Sequence, residues 1–248
     1  MSLQVVLLPG LLCDAAVWTE QRKALETIAD CYIPDYGMCD SIGGMADLVL
    51  NAVHASTLLV AGHSMGGRVA LEVVRRAPER VGALALLDTG YQARDPGDAG
   101  AKEQAGRFGL LDMARAQGMR AMGEAWAPGM VHPDRLDSDV YQSILSMIER
   151  SSPAQFEAQI RALLDRPDAT PVLENLQCPT VLVCGREDRW SPLARHEDMQ
   201  RVIPQATLHV IEASGHMSTM ERPEAVSKVL LEWAQAFVTT HSKAESGE

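Results

Sequence analysis

With 248 residues, 46% of them hydrophobic and 22% charged, the chain can bury a sizeable core without help from disulfides or metals. Its formal net charge of −11 argues against nucleic acid or an anionic membrane surface as a partner, because both require clustered Lys and Arg. The five cysteines, Cys13, Cys31, Cys39, Cys178 and Cys184, include no C-x-x-C pair, which points away from zinc and dithiol motifs and toward free thiols in a reducing compartment.

Residues 5–8, Val-Val-Leu-Leu, form a continuous apolar run closed by Pro9-Gly10, the pattern of a strand buried on both faces of a parallel sheet. No basic residues precede it and no run reaches bilayer length, so it reads as a first strand rather than a signal peptide, with a cytoplasmic location expected. Weak helical patterns at 16–28 and 45–54 flank a weak strand at 31–33. Runs at 58–61 and 83–87 repeat the buried-strand pattern, and between them Val69, Ala70, Val73 and Val74 recur at helical spacing until Pro78. From about 92 to 168 no strand is expected. A polar stretch, Asp95-Pro96-Gly97-Asp98-Ala99-Gly100, gives way to helices whose apolar positions include Met113, Met119, Met122, Ile144, Met147 and Ile160. Strand patterns return at 181–184, ending on Cys184 as a small core residue, and more weakly at 208–211. The last helix, 221–238, has Pro223 in its first turn and Val226, Val229, Leu230, Trp233 and Phe237 on one stripe. The polar tail after Phe237 is expected to fray.

Strands alternating with helices predict an α/β fold with a mostly parallel open sheet flanked by helices. Its core is expected at 1–90 and 172–248, with residues 91–171 as a helical cap insertion.

Gly62-His63-Ser64-Met65-Gly66-Gly67 joins a strand to a helix. In that context G-x-S-x-G is a sharp turn that exposes the serine hydroxyl at the sheet's C-terminal edge, beside free N–H groups at the helix start. Serine needs a base, and the base needs an orienting carboxylate, in the chain order Ser, acid, His. Asp188, in Gly185-Arg186-Glu187-Asp188, and His216, in Ser214-Gly215-His216-Met217, both follow strands. Glu187 and Asp88 are rival acids. Among the other histidines, His209 falls in a strand, His54 and His196 on helices, His132 in the insertion and His241 in the tail. His63 is expected to point to the opposite side of the turn. The oxyanion donors predicted are the backbone N–H groups of Met65 and, from the loop after the first strand, Leu11.

The segments 62–67, Gly185-x-x-Asp188-x-x-x-Pro192 and Gly215-His216 resemble the α/β-hydrolase superfamily, and its single-domain carboxylesterase-like branch in particular. Ala77-Pro78-Glu79-Arg80-Val81 and Trp18 are also similar to that branch, whereas Pro9 stands where many relatives carry His. The resemblance spans nearly the whole chain and implies a helical cap between the sixth and seventh strands of that fold. Cleavage of a small ester-like molecule through a Ser64, Asp188 and His216 triad and an acyl-enzyme is the expectation, with no cofactor or metal. Thioester, lactone or carbon–carbon cleavage by the same triad, and slow-turnover ligand binding, are the alternatives. Trp126, Met122, Met130 and Trp190 are candidate pocket residues. Three Phe and four Tyr favour aliphatic over aromatic walls, and Arg107, Arg115 and Arg120 are candidate contacts for an acidic substrate.

Overall fold

The six apolar runs lie side by side in one all-parallel sheet. The computed structural model describes residues 2–246, and its strands are β1 (Leu3–Leu8), β2 (Cys31–Tyr32), β3 (Thr57–His63), β4 (Val81–Leu87), β5 (Thr180–Gly185) and β6 (Thr207–Ile211). Their order across the sheet is β2-β1-β3-β4-β5-β6. The chain therefore steps outward from β1 to β2, then crosses back over β1 to β3. This reversal opens a crevice at the C-terminal ends of β1 and β3, where open α/β sheets bind their ligands. In β3 every residue after Thr57 is buried, and in β4 every residue but Gly82, which explains why these strands read as unbroken apolar runs.

Helices α1 (Thr19–Leu25), α2 (Ile42–Ala52) and α3 (Met65–Arg76) make the first crossovers. The Ser41 hydroxyl caps α2 by accepting from Gly44 N–H. α3 buries Val69, Ala70, Val73 and Val74 against the sheet and stops before Pro78, which cannot continue it. The segment between β4 and β5 is entirely helix and loop: α4 (Gly97–Gln117), α5 (Met119–Trp126), α6 (Asp139–Glu149), α7 (Pro153–Leu164) and α8 (Thr170–Glu174). We call it the cap. Met119, Met122, Ile144, Met147 and Ile160 are buried in it. α4 starts earlier than its polar sequence implies. Gly97 turns with φ of 67°, Asp98 complements the helix dipole, and any side chain at position 100 would strike the Asp95 carbonyl, so Gly100 lets the first turn close.

After β5 come α9 (Leu193–Val202), α10 (Ser218–Glu221) and α11 (Pro223–Ser246). α11 packs on α1 over one face of the sheet, and α2, α3, α8 and α9 adjoin one another in sequence on the other. The tail expected to fray is helical to Ser246: the Thr239 and Thr240 hydroxyls donate to the Gln235 and Ala236 carbonyls one turn back, so polar residues extend the helix at little cost. Residues 247–248 lie outside the described residues. Among the described residues, no helix is long and apolar enough to cross a membrane.

Candidate active site

Ser64 sits between β3 and α3 with φ of 54°, a conformation L-residues adopt only under constraint. Its N–H donates to the Leu87 carbonyl, and its own carbonyl accepts from the Thr89 hydroxyl at 2.6 Å and from Gly67 N–H at 3.0 Å. The flanking glycines allow the approach. A side chain at Gly66 would meet the Leu8 and Pro9 carbonyls, and one at Gly62 would meet Gly66's own backbone.

The Ser64 hydroxyl lies 2.8 Å from His216 Nε2, and His216 Nδ1 lies 2.8 Å from Asp188 Oδ2. An ionised carboxylate only accepts, so Nδ1 carries the proton and Nε2 is left as the acceptor for Ser64. Asp188 Oδ1 accepts from the N–H groups of Trp190 and Ser191 at 2.8 and 2.9 Å. Burial works against the Asp188 charge, but the facing His216 and these N–H groups outweigh it and hold the carboxyl below its usual range. Burial likewise disfavours the charged His216, yet Asp188 wins and raises the imidazole above its ordinary value.

The rival acids have other tasks. Glu187 accepts from Ser214 N–H at 3.0 Å and so braces the loop that carries His216. Asp88 is fully buried at the end of β4, accepts from Gly185 N–H at 2.9 Å, and takes the Ser218 hydroxyl. Burial and the neighbouring Asp188 charge push its carboxyl well above the usual range. His63 departs from expectation. Instead of turning away, its buried ring lies 5.4 Å from that of His216, and its Nε2–H donates to the His216 carbonyl at 2.8 Å. Burial and the His216 charge push it down to about 3, so it stays neutral and supports the loop as a hydrogen-bond donor. Buried Cys184 is a core residue whose thiol burial pushes up.

The loop after β1 completes the site. Gly10 lies against His63 and Ser64, where a Cβ would be 3.0 Å from His63 Nδ1 and 3.2 Å from Ser64 Cβ. The Cys13 N–H closes a turn onto the Gly10 carbonyl at 3.1 Å, and Leu12 in that turn has φ of 58°. Leu12 N–H is held by Gln159 Oε1 at 2.8 Å, a bond from cap helix α7 that the sequence did not reveal. Among the described residues, neither Leu11 N–H nor the helix-leading N–H of Met65 donates to a protein acceptor. The cap is stitched to the histidine loop at Met130, whose carbonyl accepts His216 N–H at 2.6 Å, and at Glu221, which takes His132 N–H at 2.7 Å and Gly215 N–H at 2.9 Å.

Above Ser64 opens a cavity of about 650 Å³ lined in part by Leu11, Met65, Trp126, Met130, Trp190 and His216. Met122 does not line it: fully buried on α5, it serves as packing inside the cap. The expectation of aliphatic walls also fails. The Trp190 ring lies 5.5 Å from His216 and 4.7 Å from Trp126, which in turn lies 6.1 Å from Phe156, an aromatic wall running outward from the histidine. Arg107 reaches the cavity, whereas Arg115 and Arg120 pair with Glu157 and Glu149 outside it.

A parallel sheet with a crossing reversal, a strained serine after its third strand and an acid and a histidine after the last two define an α/β hydrolase. The model of the Alpha/beta hydrolase family matches residues 5–229, and the chain belongs to that family. It is similar to the 2-hydroxy-6-oxononadienedioate/2-hydroxy-6-oxononatrienedioate hydrolase of Escherichia coli (strain K12), 23% identical over 92% of this chain and 85% of that protein. Among solved structures it resembles a thermophilic esterase from Thermogutta terrifontis at 26% identity, with a TM-score of 0.83 over 96% of this chain and 91% of that one. An enol-lactonase from Burkholderia xenovorans LB400 shares the fold at 20% identity, with a TM-score of 0.80 over 96% and 92%.

Proposed function

We propose that the protein is a serine hydrolase that cleaves a small carboxylic ester through an acyl-enzyme. The observation that carries this reading is the unbroken line from Asp188 through His216 to the Ser64 hydroxyl, at the floor of the cavity and beside two free N–H groups. Ser64 Oγ attacks the ester carbonyl carbon while His216 Nε2 takes the hydroxyl proton. Asp188 holds Nδ1–H and offsets the charge that forms on the ring. The N–H groups of Leu11 and Met65 receive the oxyanion, a contribution of about 3 kcal/mol of barrier for each donor. The tetrahedral intermediate expels the alcohol, protonated by His216. Water then attacks the acyl carbon, His216 again takes the proton, and collapse returns Ser64 and releases the acid.

The cavity suits a small molecule, since its volume falls in the range of small-ligand sites, and the aromatic wall would hold an apolar part of it. The similarity to an esterase at 26% identity supports the ester reading. The test is a panel of short-chain activated esters, thioesters, lactones and β-diketones with wild type and Ser64→Ala. Ester turnover that is fastest in the panel and disappears in Ser64→Ala supports the reading. Preference for another bond replaces the ester, and activity surviving in Ser64→Ala removes the mechanism.

A further inference from the structure

Beyond the reacting groups, the cavity wall carries an excess of one charge. Arg68, Arg107, Arg166 and Arg195 all line it, with Lys102 and Asp95 exposed at its rim. The carboxylate set among them is that of Glu103, and it is already committed: Arg166 grips it through two bonds of 2.8 and 2.9 Å, and Arg107 Nε donates to it at 2.9 Å. Arg68 and Arg195 have no carboxylate within ion-pair distance among the described residues. Arg68 donates to the Gln92 carbonyl at 2.7 Å, and Arg195 reaches the Trp190 carbonyl at 3.4 Å.

These two guanidinium groups converge. A methyl placed on Gly90 would sit 2.9 Å from Arg195 Cδ, 3.0 Å from Arg68 Nη2 and 3.1 Å from Arg195 Nη1, so both side chains pack over the Gly90 backbone, which itself lines the cavity. Arg68 stands on α3 one turn after Ser64, and both arginines line the cavity that Ser64 lines. Burial and the charges of Arg166 and Arg195 push Arg68 down to about 9, leaving it protonated at neutral pH in a repulsive setting. Gathering like charges in a partly enclosed cavity is unfavourable unless an opposite charge enters. In a chain of net charge −11 the cluster is also not a sample of the surface at large. The cap fits the same reading. α4 turns Ala99, Lys102, Glu103, Gly106, Arg107 and Leu110 toward the cavity, so small residues leave room beside the cations.

We infer that the substrate carries a carboxylate, which Arg68 and Arg195 hold while Ser64 attacks a bond elsewhere in the same molecule. This rests on the serine-hydrolase reading and names the substrate class of that site. A planar carboxylate suits guanidinium donors, which present paired N–H groups.

The carboxylate could sit on the acyl group or on the leaving group, and two matched pairs separate these. One is the mono-4-nitrophenyl ester of adipate against its terminal carboxamide. The other is 4-carboxyphenyl acetate against 4-carbamoylphenyl acetate. Wild type should prefer the anionic member of at least one pair by about tenfold or more in kcat/KM. Arg68→Gln and Arg195→Gln should each reduce that ratio about tenfold, mostly through KM, whereas Arg115→Gln, outside the cavity, leaves it unchanged. Calorimetric binding of adipate itself, which needs no turnover, should weaken by a similar factor in Arg68→Gln and Arg195→Gln. Labelling by a fluorophosphonate reports Ser64 separately. If the protein is labelled and cleaves the neutral esters but neither readout responds to Arg68→Gln or Arg195→Gln, the carboxylate inference is overturned and the hydrolase reading stands. If labelling and turnover both fail while adipate binding still depends on the two arginines, the anion site stands and the hydrolase reading falls. Both variants should keep the wild-type melting temperature, since neither arginine forms an ion pair among the described residues.

Discussion

The bond from Leu12 N–H to Gln159 Oε1 is expected to control catalysis from the cap, without touching the substrate. Gln159→Leu keeps the volume roughly and removes the acceptor. Leu12 N–H is then left buried without a partner, which costs about 1–3 kcal/mol of stability. The local effect matters more. Leu12 has φ of 58° in the turn that Cys13 closes onto Gly10, and the adjoining Leu11 N–H is a proposed oxyanion donor. Complete loss of one such donor lowers kcat by about 10²–10³-fold. A turn that relaxes without unfolding misaims the donor, so kcat should fall roughly ten- to a hundredfold, below that ceiling. KM should change little, because the donor acts on the charge that develops in the transition state. The assay is steady-state hydrolysis of 4-nitrophenyl acetate with the melting temperature measured in parallel. Gln159→Glu retains an acceptor oxygen and should recover most of kcat. If Gln159→Leu lowers the melting temperature yet keeps the wild-type kcat, Gln159 is a structural tie and the positioning argument is refuted.

Four further outcomes follow from the same geometry. His216 acts as a base only when neutral, and its folded-state value is raised, so kcat/KM should be full at alkaline pH and decline as pH falls through a value above that of an ordinary imidazole; a pH–rate profile whose limb lies below the ordinary imidazole value would contradict the Asp188 pairing. Asp188→Asn should lower kcat by about 10⁴-fold, whereas Asp88→Asn should lower it far less, because Asp88 is held largely as the neutral acid that an amide resembles. Asp88 also ties stability to pH. Its raised folded-state value means the native protein keeps a proton the unfolded chain releases, so stability falls as pH rises above the ordinary carboxylate range; Asp88→Asn should flatten that decline in melting temperatures taken from pH 5 to 9. Gly66→Ala should yield little folded protein, since its methyl would lie 2.0 Å from the Leu8 carbonyl oxygen, and folded, fully active Gly66→Ala would show that the turn has slack.

The strands were readable because an all-parallel sheet covered on both faces needs continuous apolar segments, and all six runs marked in the sequence pair in it. Ser64, Asp188 and His216 were readable because each follows a strand, and strand ends converge at one edge of the sheet. The cavity wall was not. Helix α4 faces the cavity with Lys102, Glu103, Gly106 and Arg107, so its inward side is polar and lacks the apolar stripe that marks a packed helix. Arg68 was hidden in plain view one turn after Ser64, among residues that otherwise signal core. Aromatic content over the whole chain misled, because Trp126, Trp190 and Phe156 come from three distant segments to form one wall. The sequence around His63 shows a turn but not that the His216 carbonyl comes back to meet its ring after 153 residues.

Activation of the Ser64 nucleophile by His216 underlies every step of the proposed reaction. It is tested most directly by reacting the protein with a fluorophosphonate and mapping the adduct by peptide mass spectrometry. One adduct per chain is expected on the peptide containing Ser64, with labelling abolished in Ser64→Ala and strongly slowed in His216→Ala. Labelling elsewhere, or equal labelling rates in wild type and His216→Ala, would contradict it.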